Sequence, residues 1–274
     1  TMDKINDIIF SANIKNIKLA YCPERVLPGN IIKELKSNNR IIGTINQNHG
    51  NDIKKFMSSF VTGSVTITNF KTAEMSKLTE NAYRDLNIAF ANEISMICEN
   101  QNIDVWELIN LVNKHPRVNV LQPGCGVGGH CIAIDPWFLI SQFEEKTPLI
   151  KQARVSNLKK TDWVLNQILY YINKFEDDKG KNPIVGILGL TYKPNVDDLR
   201  ESPALEIARK IMSKSLVTLI SDPFVKDVNN IKISSTTYTV DNSDIIVVLV
   251  AHDIYKSLKI SKEKILLDFV NIIS

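Results

Sequence analysis

Four short apolar runs between residues 182 and 274 constrain the fold of this chain more than any other feature. Each run has few polar residues, and helical patterns or loops separate one run from the next. Continuous apolar strands between helices are typical of a parallel sheet that helices cover on both faces. The runs are Ile184–Gly189, Leu216–Ile220, Asp244–Val250 and Ile265–Phe269. They predict an α/β domain over residues 182–274, with a helix from about Pro203 to Ser213.

The middle of the chain predicts two long helices. Apolar residues recur every three or four positions from Leu78 to Ile97, which indicates an amphipathic helix from Thr72 to about Asn100. A similar pattern indicates another helix over residues 148 to about 176. The segment Lys174–Pro183 is rich in charge and contains glycine and proline, so it marks a domain boundary. We therefore expect a central helical domain over residues 71–176.

Residues 1–70 predict a further α/β part. Short β-rich runs occur at Ile17–Ala20, Arg40–Gly43 and Ser64–Thr68, with helical patterns around them. No run in this part leads into G-x-G-x-x-G, and no acidic residue is placed to bind a ribose. These residues therefore do not predict a complete dinucleotide-binding domain.

The most unusual stretch is Pro123–Trp137, which reads P-G-C-G-V-G-G-H-C-I-A-I-D-P-W. Its four glycines permit positive φ angles and a close approach of the backbone to a ligand. Cys131 follows them and precedes Asp135-Pro136, which predicts a helix start with Asp135 as the N-cap. Amide dipoles at a helix N-terminus favour the nucleophilic thiolate. The alternative is a tight turn in which Cys131 is a small buried side chain, and the local residues leave both readings open.

Composition argues against several other functions. The formal charge is +3 and the lysines are scattered, which does not indicate a nucleic acid or a membrane surface as partner. No apolar run approaches the length of a membrane span, and the first residues do not resemble a signal peptide. We therefore expect a cytoplasmic chain with four reduced cysteines. His130, Cys131 and Cys125 are poorly spaced for a tetrahedral zinc site, so we expect no metal.

The stretch Pro123–Trp137 resembles the nucleophile loop of the UDP-glucose/GDP-mannose dehydrogenase family, which more often has proline where this chain has Cys125. Its ending, from His130 onward, is similar to the branch that oxidises UDP-N-acetylmannosamine. Three other segments resemble motifs of the family and follow in the same order. They are Cys22–Arg25, Lys77 with Asn81, and Gly189–Pro203.

The resemblance implies an architecture for the α/β chain. Residues 1–70 would be the C-terminal part of an NAD-binding Rossmann domain whose beginning is absent. Residues 71–176 would form the central domain, which dimerises through its long helix and carries the nucleophile loop. Residues 182–274 would form a Rossmann-like domain that binds a UDP-sugar.

The resemblance also implies site residues. Cys131 would be the nucleophile, Lys77 and Asn81 would stabilise an oxyanion, and Asp135 and Glu24 would position or deprotonate water. Substrate contacts would come from a second group of residues: Arg25, Arg117, Gly126, Gly128, Gly129, Tyr192, Lys193 and Arg200. Arg117 is also suited to oxygen ligands by its guanidinium, although it could equally be a surface residue.

The implied activity is an NAD-dependent, four-electron oxidation of UDP-N-acetyl-D-mannosamine to the uronate, through a cysteine thiohemiacetal and thioester, for surface polysaccharide. An alternative is a non-catalytic, UDP-sugar-binding and dimerising fragment of such an enzyme. A separate chain carrying the missing part of the NAD domain would be a further partner. The residues do not separate mannosamine from galactosamine or glucose epimers.

Overall fold

The chain has two structural units, Thr1–Asn81 and Ala82–Ser274, in a computed structural model that describes residues 1–14, 17–26, 30–214 and 216–273. The long helix predicted in the middle of the chain is present as Phe70–Gln101 and carries residues of both units. No helix in the described part of the chain combines the length and apolarity that a membrane span requires.

The first unit contains a small parallel sheet. Before the long helix, its elements are α1 (Met2–Ser11), α2 (Ile31–Ser37), β1 (Arg40–Gly43), α3 (Gln47–Met57) and β2 (Val65–Thr68). The two strands pair in parallel, with Arg40 opposite Val65 and Gly43 opposite Thr68. Ile42, Val61 and Val65 form the buried centre of this unit.

The predicted strand at Ile17–Ala20 is wrong. Only the next residue, Tyr21, forms an isolated antiparallel bridge, with Gly43. Ile17 and Lys18 are exposed to solvent, so their side chains would gain little burial from pairing. An apolar pattern produces a strand only where one face of it is buried.

The second unit begins within the long helix, α4 (Phe70–Gln101), and its described residues continue with five helices and four strands. The further helices are α5 (Val105–Val112), α6 (Asp135–Gln142), α7 (Pro148–Lys179), α8 (Pro203–Met212) and α9 (Thr236–Asp241). The strands are β3 (Val185–Leu188), β4 (Thr218–Ser221), β5 (Ile245–Val248) and β6 (Ile265–Asp268). Two short 3-10 helices span Glu144–Lys146 and Asp253–Ser257.

The four strands of the second unit form one parallel sheet in the order β4-β3-β5-β6. The residues of β3 and β5 are buried throughout, as expected for central strands covered on both faces. The predicted α/β class is therefore confirmed. In such sheets ligands bind beyond the carboxyl ends of the strands, and residues 189–203 begin at the end of β3.

Local signals at helix ends agree with the sequence. The side chain of Ser202 caps α8 by accepting a hydrogen bond from the N–H of Leu205, and Pro203 occupies the first turn. Helix α7 ends at Gly180, whose φ of 66° is favourable mainly for glycine. The charged segment Lys174–Pro183, in which a boundary is predicted, thus contains the end of α7.

A buried polar network joins α4 to α7 and then to the glycine-rich loop. Arg154 Nη1 donates to Asp85 Oδ1 at 2.6 Å, and Asn157 Nδ2 donates to the same oxygen at 2.8 Å. Asn92 Nδ2 donates to Asn157 Oδ1 at 2.9 Å, and Asn92 Oδ1 accepts the backbone N–H of Gly124 at 3.0 Å. These four side chains are buried, so the loop is held by helices distant in sequence.

Candidate functional site

The cysteine loop, which we define as residues 123–134, is irregular until α6 begins. Gly126 and Gly129 have φ values of 134° and 86°, in the range that favours glycine. The N–H of Gly129 donates to the carbonyl oxygen of Arg200 at 2.9 Å. The backbone therefore ties the cysteine loop to the segment that follows β3.

Tyr192 packs directly on the glycines of the cysteine loop. A Cβ atom on Gly129 would lie 2.7 Å from the Tyr192 ring. On Gly128 it would lie 2.4 Å from the carbonyl oxygen of Glu201 and 2.7 Å from Cβ of Tyr192. Both positions therefore favour glycine. The carbonyl oxygen of Glu201 and Cβ of Tyr192 leave no room at Gly128, and the Tyr192 ring and the positive φ disfavour a side chain at Gly129.

We expect Gly128→Ala to lower the free energy of unfolding by about 2–3 kcal/mol, because the added methyl group meets the carbonyl oxygen of Glu201 and Cβ of Tyr192, which cannot rotate away. Gly124→Ala is a matched control in the same loop, since no atom lies within 4 Å of its added Cβ. It should change stability by less than about 0.5 kcal/mol. Urea denaturation of both variants tests this, and equal midpoints would contradict the packing described above.

Cys131 is exposed at the end of the cysteine loop. Its sulfur lies 3.7 Å from Nδ1 of His130, and its carbonyl oxygen accepts the N–H groups of Ile134 and Asp135. The alternative of a buried thiol is therefore wrong. The Cys131 sulfur lies in the turn before α6 and is accessible from solvent, as a nucleophile requires.

The predicted N-cap is shifted by one residue. Helix α6 begins at Asp135 itself, Ile134 occupies the N-cap position, and Pro136 lies in the first turn. Ile134 already has helical backbone angles because the hydrogen bonds to the Cys131 carbonyl start the turn early. Asp135 thus lies in the first helical turn, where a negative charge is favourable.

The second thiol of the loop has a different environment. Cys125 is buried, its Sγ lies 3.4 Å from the carbonyl oxygen of Leu249, and its own carbonyl accepts the hydroxyl of Thr161 at 2.9 Å. Burial raises the pKa of Cys125 to about 12. A labelling reagent at neutral pH should therefore find Cys131 rather than Cys125.

The segment after β3 forms a compact turn that presents Tyr192 and Lys193. The N–H of Tyr192 donates to the carbonyl oxygen of Asp198 at 3.1 Å. The Asp198 carboxylate accepts two side-chain nitrogens of Arg200, the shorter bond being 2.6 Å, and this contact holds the pKa of Asp198 below its usual value. Arg200, a predicted substrate contact, thus has an internal carboxylate partner, and its backbone carbonyl holds the cysteine loop.

A cavity of about 590 Å³ lies where the cysteine loop meets the carboxyl ends of β3, β5 and β6. This volume suits a small organic ligand. Gly126, Tyr192 and Lys193 are predicted contacts that line it. Sequence reasoning missed other lining residues: Trp106, Asn110, Gln122, Ala251 and Asn271. Ala251 and Asn271 could have been found from their positions just after apolar runs, whereas nothing local marks Trp106 or Asn110.

Arg117 does not line this cavity. Its side chain is exposed, and its backbone N–H donates to Nδ1 of His115 at 3.3 Å. The role of Arg117 as a substrate contact therefore stays a prediction. In the described part of the chain, no group of three or more His, Cys, Asp or Glu side chains is arranged to hold a metal ion.

The remaining predicted residues belong to the first unit. Lys77 Nζ donates to the carbonyl oxygen of Glu24 at 2.8 Å, and Asn81 is buried one helical turn further along α4. Arg25 forms a two-point ion pair with Glu80, with Nε 3.1 Å from Oε2. Residues 27–29, which follow this motif, lie outside the described residues.

Glu24 is held as an ionised carboxylate. Its Oε1 accepts Nη1 of Arg40 at 2.9 Å and the backbone N–H groups of Arg25 and Val26. Partial burial acts to raise the pKa of Glu24, but these hydrogen bonds outweigh it and hold the pKa below its usual value. A carboxylate of this kind is better suited to orient a water molecule than to remove its proton.

The chain is similar to proteins of known function. Three models of the UDP-glucose/GDP-mannose dehydrogenase family match it: the NAD binding domain over residues 1–61, the central domain over 71–159 and the UDP binding domain over 186–274. The chain belongs to this family. The family also confirms NAD as the expected cofactor.

Two similar proteins are named as dehydrogenases of N-acetylated sugar nucleotides. A UDP-N-acetyl-D-mannosamine dehydrogenase from Campylobacter jejuni is 48% identical over 87% of this chain and 60% of its own length. An NDP-N-acetyl-D-galactosaminuronic acid dehydrogenase from Ralstonia solanacearum is 44% identical over 89% of this chain and 57% of its own length. The chain thus spans less than two thirds of these relatives.

A solved structure has the same fold. The UDP-N-acetyl-mannosamine dehydrogenase from Staphylococcus aureus is 36% identical, with a TM-score of 0.83 over 98% of this chain and 68% of its own. The domain boundaries at residues 70, 176 and 182 stay predictions.

The part that matches the NAD binding domain does not by itself provide a pyrophosphate cradle. Dinucleotides ordinarily bind at a helix N-terminus that follows a glycine-rich turn. In this part, Asn46 Oδ1 caps α3 by accepting the N–H groups of Asn48 and His49. Gly50 lies inside α3, close to the side chain of Ile67, and serves packing. The described residues of this chain therefore do not fit NAD on their own, and we assign none of them to it.

Proposed function

We propose that this chain carries the nucleophile and the nucleotide-sugar site of a UDP-N-acetyl-D-mannosamine 6-dehydrogenase. One observation carries the proposal: the loop that exposes Cys131 is packed on Tyr192 of the segment lining the 590 Å³ cavity. The loop that carries the thiol and the segment that lines the cavity are thus in contact within one structural unit, although Cys131 itself does not line the cavity. The names of the similar proteins support this substrate class.

Cys131 would make the second oxidation possible. Its sulfur would add to the C6 aldehyde, and the carbonyl oxygen would take up a proton to give a thiohemiacetal. Loss of a hydride from C6 and of the hydroxyl proton would leave a thioester, and water would then release the uronate and restore the thiol. NAD, when bound, supplies the acceptor for the hydride in each of the two oxidations.

Four other side chains would support this chemistry. Lys77 and Asn81 would stabilise the negative oxygen at C6, because donors fixed in advance are effective there. Glu24 would position the hydrolytic water, as its lowered pKa favours, and Asp135 would do so from the first turn of α6. Tyr192, Lys193 and the glycines of the cysteine loop would hold the nucleotide sugar.

The experiment is a count of NADH formed per sugar consumed when the purified chain is mixed with UDP-N-acetyl-D-mannosamine and NAD. Two NADH per sugar would support the complete oxidation by this chain. No NADH together with tight binding of UDP would favour the second candidate, a non-catalytic UDP-sugar-binding fragment. The absence of a pyrophosphate cradle among the described residues favours that candidate, and absence of UDP binding would contradict both.

We also propose that the chain dimerises through α4. Five residues spaced alternately four and three apart form a stripe on this helix: Tyr83, Asn87, Phe90, Ile94 and Ile97. Tyr83, Phe90 and Ile97 are 67%, 50% and 57% exposed. An apolar stripe of this spacing packs well against a second helix, and a two-fold axis would bring two copies together.

Phe90→Glu should therefore convert a dimer to a monomer, because two added charges would face each other across the axis. Light scattering after size-exclusion chromatography measures the mass. Tyr170→Glu introduces the same charge at an exposed aromatic residue of α7, which is not on this stripe, and should keep the wild-type mass. A dimeric Phe90→Glu variant would exclude this interface.

A further inference from the structure

His252 is a fully buried histidine that the proposed chemistry does not use. It follows β5 and contacts the turn Thr191–Asn195, whose residues Tyr192 and Lys193 line the cavity. The rings of Phe224 and Tyr255 pack on it, with centroids 5.0 and 5.4 Å from its own. The hydrogen-bond partners of its ring lie 30 to 61 residues away in sequence, so no local pattern marks it.

The hydrogen bonds of His252 fix its tautomer. The backbone N–H of Asn195 donates to Nδ1 at 3.0 Å, so Nδ1 must lack a proton. The proton of the neutral ring is therefore on Nε2, which lies 3.2 Å from Oδ2 of Asp222 and 3.3 Å from Oγ1 of Thr191. The ring thus contacts both ends of the turn.

Asp222 completes the support from the end of β4. Its Oδ2 also accepts the N–H of Leu190 at 2.7 Å, and its Oδ1 accepts the N–H of Phe224 at 2.9 Å. Asn195 exchanges two hydrogen bonds with Asp253, of 2.6 and 3.1 Å. The His252–Asp222 pair therefore supports the turn at both ends, and Asp253 adds support at Asn195.

We infer that His252 is a positioning residue for nucleotide binding, and that it holds the turn Thr191–Asn195 only in its neutral form with the proton on Nε2. Protonation would add an N–H at Nδ1, so that both ring nitrogens carry a proton. The new N–H would point at the N–H of Asn195, and because two donors cannot form a hydrogen bond, that contact would break. The inference rests on the proposed binding of UDP in the cavity. It predicts weaker nucleotide binding in mild acid.

The other titratable groups around the ring do not change charge between pH 5 and 8. Burial acts to raise the pKa of Asp222, but its hydrogen bonds with His252 and with backbone N–H groups hold the pKa below the usual value. The contact with Lys256 holds the pKa of Asp253 low, and burial raises the pKa of Tyr255. None of these three groups therefore accounts for a change in the turn between pH 5 and 8.

The test is calorimetric titration with UDP from pH 8 to pH 5.5. At pH 8 we expect His252→Gln to bind UDP about tenfold more weakly than the wild type, since a buried contact to the turn is lost. The wild type should lose affinity on acidification more steeply than the variant, whose own profile accounts for the titration of the UDP phosphate. His115→Gln is the matched control: Nδ1 of His115 also accepts a backbone N–H, but this histidine is exposed. It should follow the wild type.

Equal affinities and parallel pH profiles for the wild type and His252→Gln would overturn the inference alone. No UDP binding by the wild type would instead overturn the proposed function and this inference with it. If the variant does not fold, ¹⁵N NMR of the wild-type histidines at pH 8 tests the inference instead. A protonated Nε2 and unprotonated Nδ1 in His252 are expected, and the opposite tautomer would overturn the inference.

Discussion

Cys131→Ser is expected to lower the rate of complete oxidation by at least about 10³-fold, because serine at neutral pH is a far weaker nucleophile than a thiolate. The first hydride transfer does not need the thiol. The variant should therefore form no more than one NADH per sugar, against the two that the proposed oxidation by the wild type would form. Stopped-flow absorbance with product analysis by mass spectrometry measures both quantities.

Cys22→Ser is the control for this substitution. Cys22 is also exposed, but partial burial of its sulfur raises its pKa, so it should be the slower thiol to react. Its variant should keep the wild-type stoichiometry. If the chain alone forms no NADH, alkylation by iodoacetamide provides the readout: UDP-N-acetyl-D-mannosamine should slow the labelling of Cys131 and not that of Cys22. If the Cys131→Ser variant forms two NADH per sugar, Cys131 is not the nucleophile.

Arg154→Met is expected to lower the free energy of unfolding by about 3–5 kcal/mol, because it leaves the Asp85 carboxylate buried without its cation. Urea denaturation measures the loss. Lys210→Met is the control, since Lys210 pairs with Asp162 and Glu206 at the surface, where such pairs contribute about 0–1 kcal/mol.

A double variant separates the lost ion pair from lost packing. Adding Asp85→Asn to Arg154→Met removes the unpaired charge and keeps an acceptor for Asn157, so part of the stability should return. If Arg154→Met costs no more than Lys210→Met, the network between α4 and α7 does not stabilise this unit in the way described.

The sequence alone determined much of the secondary structure and the fold class. The long helix was predicted over 72–100 and extends over Phe70–Gln101, because an apolar stripe that recurs every three or four residues suits only a helix at this length. The four apolar runs became β3 to β6, since a continuous apolar strand must be covered on both faces. Family motifs also pointed to the cysteine loop and to Tyr192.

The tertiary structure decided which of the similar-looking residues differ in environment. Cys125 and Cys131 lie six positions apart in one loop, yet the first is buried and the second exposed, because Thr161 and Leu249 enclose only the first. The run at Ile17–Ala20 lacked the burial that makes a strand.

His252 and Arg154 gave no signal in the sequence for a related reason. Their partners are 57 and 69 residues away, and side-chain patterns report only on neighbours within a few turns. Periodicity therefore determined the helices and strands of this protein, whereas the protonation, burial and support of its site depend on contacts that only the folded chain brings together.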